Sequence, residues 1–106
     1  MKGRSRRSEA LAFLGLAQRA GAVAKGTDAT RRALRNGDAR LLVFATDGSE
    51  TQREKVLPLA KARGIPWVSL GSMNELGAAL GAGPVAAVAV LRTRFAEEIR
   101  KRLGPE

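Results

Sequence analysis

Strands alternating with helices predict an α/β sandwich, a small sheet with helices on both faces. Three observations carry this reading. The run Leu41-Leu42-Val43-Phe44-Ala45 is continuously apolar between polar neighbours, the pattern of a strand buried on both faces. Residues 85–91 form a second such run. Around them, apolar residues recur at helical spacing in segments opened by cap residues or closed by glycine. With 106 residues, 44% of them hydrophobic, the chain makes one domain with a sufficient core. No internal repeat, linker or second domain is visible.

The elements follow in order. Residues 1–7 carry Lys2, Arg4, Arg6 and Arg7 with no apolar periodicity, which predicts a flexible basic arm ahead of a domain over residues 8–106. Ser8 suits the cap of a first helix, in which Ala10, Phe13, Leu14, Ala17 and Gly21 keep helical spacing. Val23-Ala24 reads as a short strand before the turn at Lys25-Gly26. Thr27 is then the expected N-cap of an arginine-rich helix, and Gly37 its C-terminal glycine. After the Leu41–Ala45 strand, Thr46-Asp47-Gly48-Ser49 has turn and cap chemistry. A helix over 51–63 follows, with Val56, Leu59 and Ala60 inward and Pro58 bending or interrupting it.

Gly64 ends that helix, and residues 65–70 read as the next strand. Ser72 caps a short helix through Leu76, Ala79 and Leu80. A Gly81-Ala82-Gly83-Pro84 loop leads into the strand over 85–91. The last helix, over 93–103, spaces Phe95, Ile99 and Leu103 along one side. On its other side Glu97 with Lys101, and Glu98 with Arg102, stand four residues apart.

Charge separates the function classes. The chain holds 19 Lys/Arg against 10 Asp/Glu, a net charge of +9, and seven of those nine charges fall within residues 1–40. Residues 41–91 balance to zero. A pI near 11.5 with such asymmetry is the footprint of a nucleic-acid binder. An anionic membrane surface is the competing partner, and it needs bulky apolar residues opposite the basic face. The face opposite Asp28, Arg31, Arg32 and Arg35 offers only Ala29, Thr30, Ala33 and Leu34, which suits a protein core. No apolar run is long enough to span a bilayer, and no signal-peptide pattern follows the basic start.

The chain has no cysteine and no histidine, which removes disulfides, thiol catalysis, the commonest general base and the commonest metal ligand. No metal or other cofactor, small-molecule substrate or catalytic residue is therefore expected. A Walker pattern is absent, and the spacing of Gly71, Gly77, Gly81 and Gly83 does not match a dinucleotide fingerprint. Asp47, at the end of a strand, is the best lone catalytic candidate. A phosphoacceptor there needs a neighbouring acidic cluster, which the other strand ends do not supply, and an aspartate in that place more often caps a turn. With three Phe, one Trp and no Tyr, a stacking platform for single-stranded bases is not expected either. What remains is Lys25-Gly26-Thr27 running into Arg31, Arg32 and Arg35. Free backbone N–H groups at a helix N-terminus, flanked by cations, suit phosphate.

Four fragments in order carry a family resemblance: Lys25-Gly-Thr…Arg32-Ala-Leu-Arg-Asn-Gly37, Leu42-Val-Phe-Ala-Thr-Asp47, Gly64-Ile-Pro-Trp67, and Ser72…Glu75-Leu-Gly-Ala78…Gly81. From Leu11 to Leu91 the chain resembles the ribosomal L7Ae/L30e family, whose members bind kink-turns in RNA, and above all its small bacterial homologues. The resemblance implies a three-layer α/β/α sandwich with a small mixed sheet. It further implies a cytoplasmic, ribosome-associated monomer that grips structured RNA, ribosomal RNA included, with two loops. One is the turn from Gly26 to Arg32, where Gly26 admits the RNA backbone, Thr27 caps the helix and Arg32 stands at the place of a family lysine. The other is the loop from Ala82 to Val85, where Gly83 shapes the chain and Pro84 and Val85 offer unpaired bases an apolar wedge. Lys25, Asp28, Arg31 and Arg35 complete the expected RNA-binding set. Asp28-Ala29 stands where relatives have Asn-Glu or Lys-Gln; an aspartate cannot donate to a guanine edge, and alanine has no polar group. The runner-up is a basic module that docks a ribosomal or transcription protein through the same face.

Overall fold

The computed structural model describes residues 5–103. Nine elements follow one another: α1 (Arg6–Arg19), β1 (Val23–Lys25), α2 (Thr27–Asn36), β2 (Leu41–Phe44), α3 (Glu50–Ala62), β3 (Trp67–Ser69), α4 (Met73–Ala79), β4 (Ala87–Val90) and α5 (Thr93–Leu103). The four strands form one mixed sheet in the order β1-β4-β2-β3. β4 runs antiparallel to both β1 and β2, and β3 runs parallel to β2.

The two central strands, β2 and β4, bury both faces, so the alternation of side chains builds two cores. Leu41 and Val43 of β2, Val68 of β3, and Val88 and Val90 of β4 face Leu14 of α1, Leu76 of α4 and Ile99 of α5. Leu42 and Phe44 of β2, with Ala87 and Ala89 of β4, face Ala33 and Leu34 of α2 and Val56 and Ala60 of α3. This is a three-layer α/β/α sandwich. The small alanines of β4 on the second face let α2 pack close to the sheet. Leu34 is fully buried there, and its truncation to alanine would cost about 2–5 kcal/mol.

Several boundaries differ from the sequence reading. α1 starts at Arg6 because Ser5, not Ser8, is the N-cap: its hydroxyl accepts the Ser8 N–H at 3.0 Å. Arg6 and Arg7, assigned to the arm, are thus helical and Ser5 is their cap, while residues 1–4 of the arm lie outside the described residues. Arg7 reaches Glu75 of α4 at 3.8 Å. α3 runs unbroken through Pro58, which forfeits one backbone hydrogen bond on an exposed face. The strands are shorter than their apolar runs; Ala45, Val85 and Ala86, for example, are buried yet lie outside them. On α5, Glu98 pairs with Arg102 at 3.1 Å and Lys101 at 3.7 Å, so Lys101 takes Glu98 rather than Glu97.

Candidate nucleic-acid interface

The turn between β1 and α2 is set by a single glycine. Gly26 has φ +99° and ψ 156°, a region open only to glycine, and it holds the N-cap position expected for Thr27. Thr27 is instead the first helical residue. A glycine has no side chain to cap with, so the first N–H groups of α2 lack a side-chain acceptor. Gly26 is itself held firmly. Its N–H donates to the Ala87 carbonyl at 2.9 Å, and its carbonyl accepts the Thr30 N–H at 2.9 Å. Thr30 is fully buried, and Gly37 closes the helix in the left-handed conformation.

α2 presents the side chains much as its periodicity predicts. Asp28, Arg32 and Arg35 are exposed, as is Lys25 at the end of β1. Arg31 is half-buried, and its Nε is shut from solvent without a hydrogen-bond partner. Arg35 stands about 12 Å along the helix from Thr27, at 1.5 Å per residue, and so belongs to the other end of the sheet.

The loop before β4 is shaped by a glycine outside itself. A Cβ on Gly77 of α4 would collide with the Gly83 carbonyl oxygen and come within 2.7 Å of the Gly83 carbonyl carbon. The loop therefore lies flat on α4. The Ala82 N–H donates to the Gly77 carbonyl at 2.8 Å, and the Val85 N–H to the Met73 carbonyl at 3.0 Å. Gly83 and Pro84 are exposed, but Val85 is 8% exposed and packs in the first core. The expected apolar wedge thus reduces to Pro84, because the chain has already turned inward to start β4.

Antiparallel pairing places these loops side by side: Lys25 is in register with Val88, so the end of β1 meets the start of β4. Two more turns join them at this end of the sheet. The Ala45 N–H donates to the Ala86 carbonyl at 2.9 Å, and the Thr46 N–H to the Gly71 carbonyl at 2.7 Å. Asp47 accepts the Met73 N–H at 2.8 Å, tying the β2–α3 turn to the start of α4. Lys25, Gly26, Thr27, Asp28, Arg31 and Arg32 thus share one end of the sheet with Gly83 and Pro84. Gly77 is the residue that sequence reasoning missed. Its signal was a glycine inside a short helix, which costs about 1 kcal/mol and so implies a close approach.

Among the described residues, no helix is long and apolar enough to cross a membrane, and no group of three or more carboxylates could hold a metal ion. The architecture is that of a small α/β/α sandwich with its exposed loops gathered at one end of the sheet. The sequence pattern of the ribosomal protein L7Ae/L30e/S12e/Gadd45 family matches residues 8–100, and the chain belongs to that family. It is similar to a Bacillus halodurans protein of unknown function, at TM-score 0.86 and 25% identity over 92% of this chain and 98% of that one. A 15.5 kD RNA-binding protein from Giardia lamblia shares the fold, at TM-score 0.78 and 22% identity over 98% of this chain and 89% of that one.

Proposed function

We propose that this protein binds RNA, and that it recognises a kink-turn-like structured RNA through the turn from Gly26 to Arg32 and the loop from Ala82 to Pro84. The observation that carries the reading is the bond from the Gly26 N–H to the Ala87 carbonyl, 2.9 Å. It fixes the glycine turn beside the strand that the second loop feeds, so two exposed loops form one rigid contact. Arg32 and Lys25 stand on the rim to meet phosphates, and the uncapped N–H groups of α2 add a partial positive charge. Family membership and the fold shared with an RNA-binding protein support the same reading. The protein works as a cytoplasmic, ribosome-associated monomer and by binding rather than by catalysis. Asp47, the best lone candidate for phosphoryl chemistry, accepts the Met73 N–H through Oδ1, the turn-tying role expected of an aspartate in that place.

The test is a competition between a kink-turn RNA and a plain duplex at fixed salt. With about four to six phosphates contacted, log affinity for the kink-turn falls against log salt with a slope of roughly −3 to −5. The kink-turn also competes better than the duplex at every salt concentration. Equal competition by the two RNAs would leave only a generic basic binder.

A further inference from the structure

The opposite end of the sheet is the more basic one. Arg35, Arg40, Arg63, Arg92 and Arg94 are all exposed there, on or beside the α2–β2, α3–β3 and β4–α5 connections, three separate parts of the chain. Backbone bonds bring them together. The Arg40 N–H donates to the Val90 carbonyl at 2.7 Å, two residues before Arg92. Nη1 of Arg40 donates to the Gly37 carbonyl at 3.0 Å, and Nη1 of Arg63 lies 4.0 Å from the Cβ position of Gly37. Two guanidiniums therefore converge on one turn. Among the described residues the ion pairs are Arg7–Glu75, Lys101–Glu98 and Arg102–Glu98, so none of the five arginines has a carboxylate partner. Asp38 is the one acid on these turns.

Folding accounts for only part of this cluster. Arg35 stands in the last turn of α2 and Arg63 at the C-cap of α3, where a cation favours the helix dipole. Arg92 and Arg94 flank the start of α5, which has no acid in its first turn and where a cation opposes the dipole. An external polyanion would offset that repulsion. The cations are all arginine, whose planar fork matches phosphate oxygens in pairs. Of the exposed large hydrophobics among the described residues, Leu16 stands on α1 and Trp67 opens β3 four residues after Arg63, so a single aromatic borders the arginines where a protein interface would gather several such anchors.

We propose that this arginine end is a second RNA-binding surface, which takes the phosphate backbone of a duplex segment separate from the RNA held at the loop end. It rests on the RNA-binding reading above and extends it from one site to two. Strands of four residues keep the two ends about 13 Å apart, so one protein would fix the relative position of two RNA segments.

The experiment saturates the protein with a minimal kink-turn stem-loop and then titrates a labelled plain RNA duplex of about 16 base pairs. The wild-type protein forms a ternary complex. The variant R63Q/R92Q/R94Q keeps its kink-turn affinity, loses about tenfold or more in duplex affinity, and has a salt slope for duplex shallower by about 2–3. The Arg40 cap on Gly37 is left intact so that the variant folds. Wild-type duplex affinity in the variant, or displacement of the kink-turn by the duplex, would overturn the second surface. Competition by polyglutamate as effective as by duplex would overturn it too, in favour of an acidic protein partner. If the wild-type protein binds neither RNA, the RNA-binding reading itself falls and takes this inference with it.

Discussion

Gly26 and Gly77 shape neighbouring loops by different physical means. A Cβ on Gly26 would meet nothing within 4 Å, so the position needs glycine only for its backbone conformation, φ +99°. Gly77 is ordinary helical backbone, and what it supplies is space: the Ala82–Gly83 backbone occupies the volume of its missing side chain. One loop is thus held by conformation and the other by packing. The difference matters because strain can be absorbed locally, whereas a clash between backbones has no flexible atom to yield.

The largest effect should come from Gly77→Ala. Forcing a methyl group into the Gly83 carbonyl costs about 3 kcal/mol, the upper end of typical overpacking, or detaches the loop from α4. Urea unfolding measures the first outcome, and loss of kink-turn binding with near-normal stability reports the second. Normal stability together with normal binding would mean that the loop does not depend on the space at Gly77. Gly26→Ala comes next, at about 1–3 kcal/mol of backbone strain, with kink-turn affinity falling more than plain-duplex affinity. Crystallography of this variant should show the turn moved and the 82–85 loop in place.

Arg32→Ala leaves both loop backbones alone. Arg32 is exposed and, among the described residues, has no ion-pair partner, so unfolding stability should stay within about 0.5 kcal/mol. Kink-turn affinity should nonetheless fall by about tenfold, and more than duplex affinity does, as isothermal titration against each RNA would reveal. The smallest effect belongs to Asp28→Asn. The asparagine gives up about 0.3–1 kcal/mol of interaction with the α2 dipole but gains a donor toward a guanine edge. Tighter kink-turn binding by this slightly less stable variant is the expected result. Unchanged or weaker binding would mean that residue 28 faces away from the RNA.

The order of elements and both cores were legible in the sequence because burial imposes period. Thr30, Ala33 and Leu34 are buried as their spacing on α2 requires, and Ser72 and Gly37 cap helices as their chemistry suggests. Cap choice between neighbours was not legible. Thr27 is the better capping side chain, yet the turn needs positive φ at Gly26, and that tertiary demand moves the cap one residue earlier. Val85 failed for a similar reason: an apolar residue beside Pro84 reads as a surface wedge until the direction of β4 turns it inward. The gathering of arginines from remote parts of the chain at the far end of the sheet depends on strand order, which spacing does not encode.

The proposed RNA grip lies where the two glycine-dependent loops meet. Backbone amide shifts in NMR spectra, recorded with one equivalent of a minimal kink-turn RNA, test it most directly. The largest changes should fall on residues 25–32 and 82–87, the Gly26 and Ala82 amides included, with little change along the outer faces of α1 and α5. Changes concentrated on α1 and α5, with the Gly26 amide unmoved, would contradict the account.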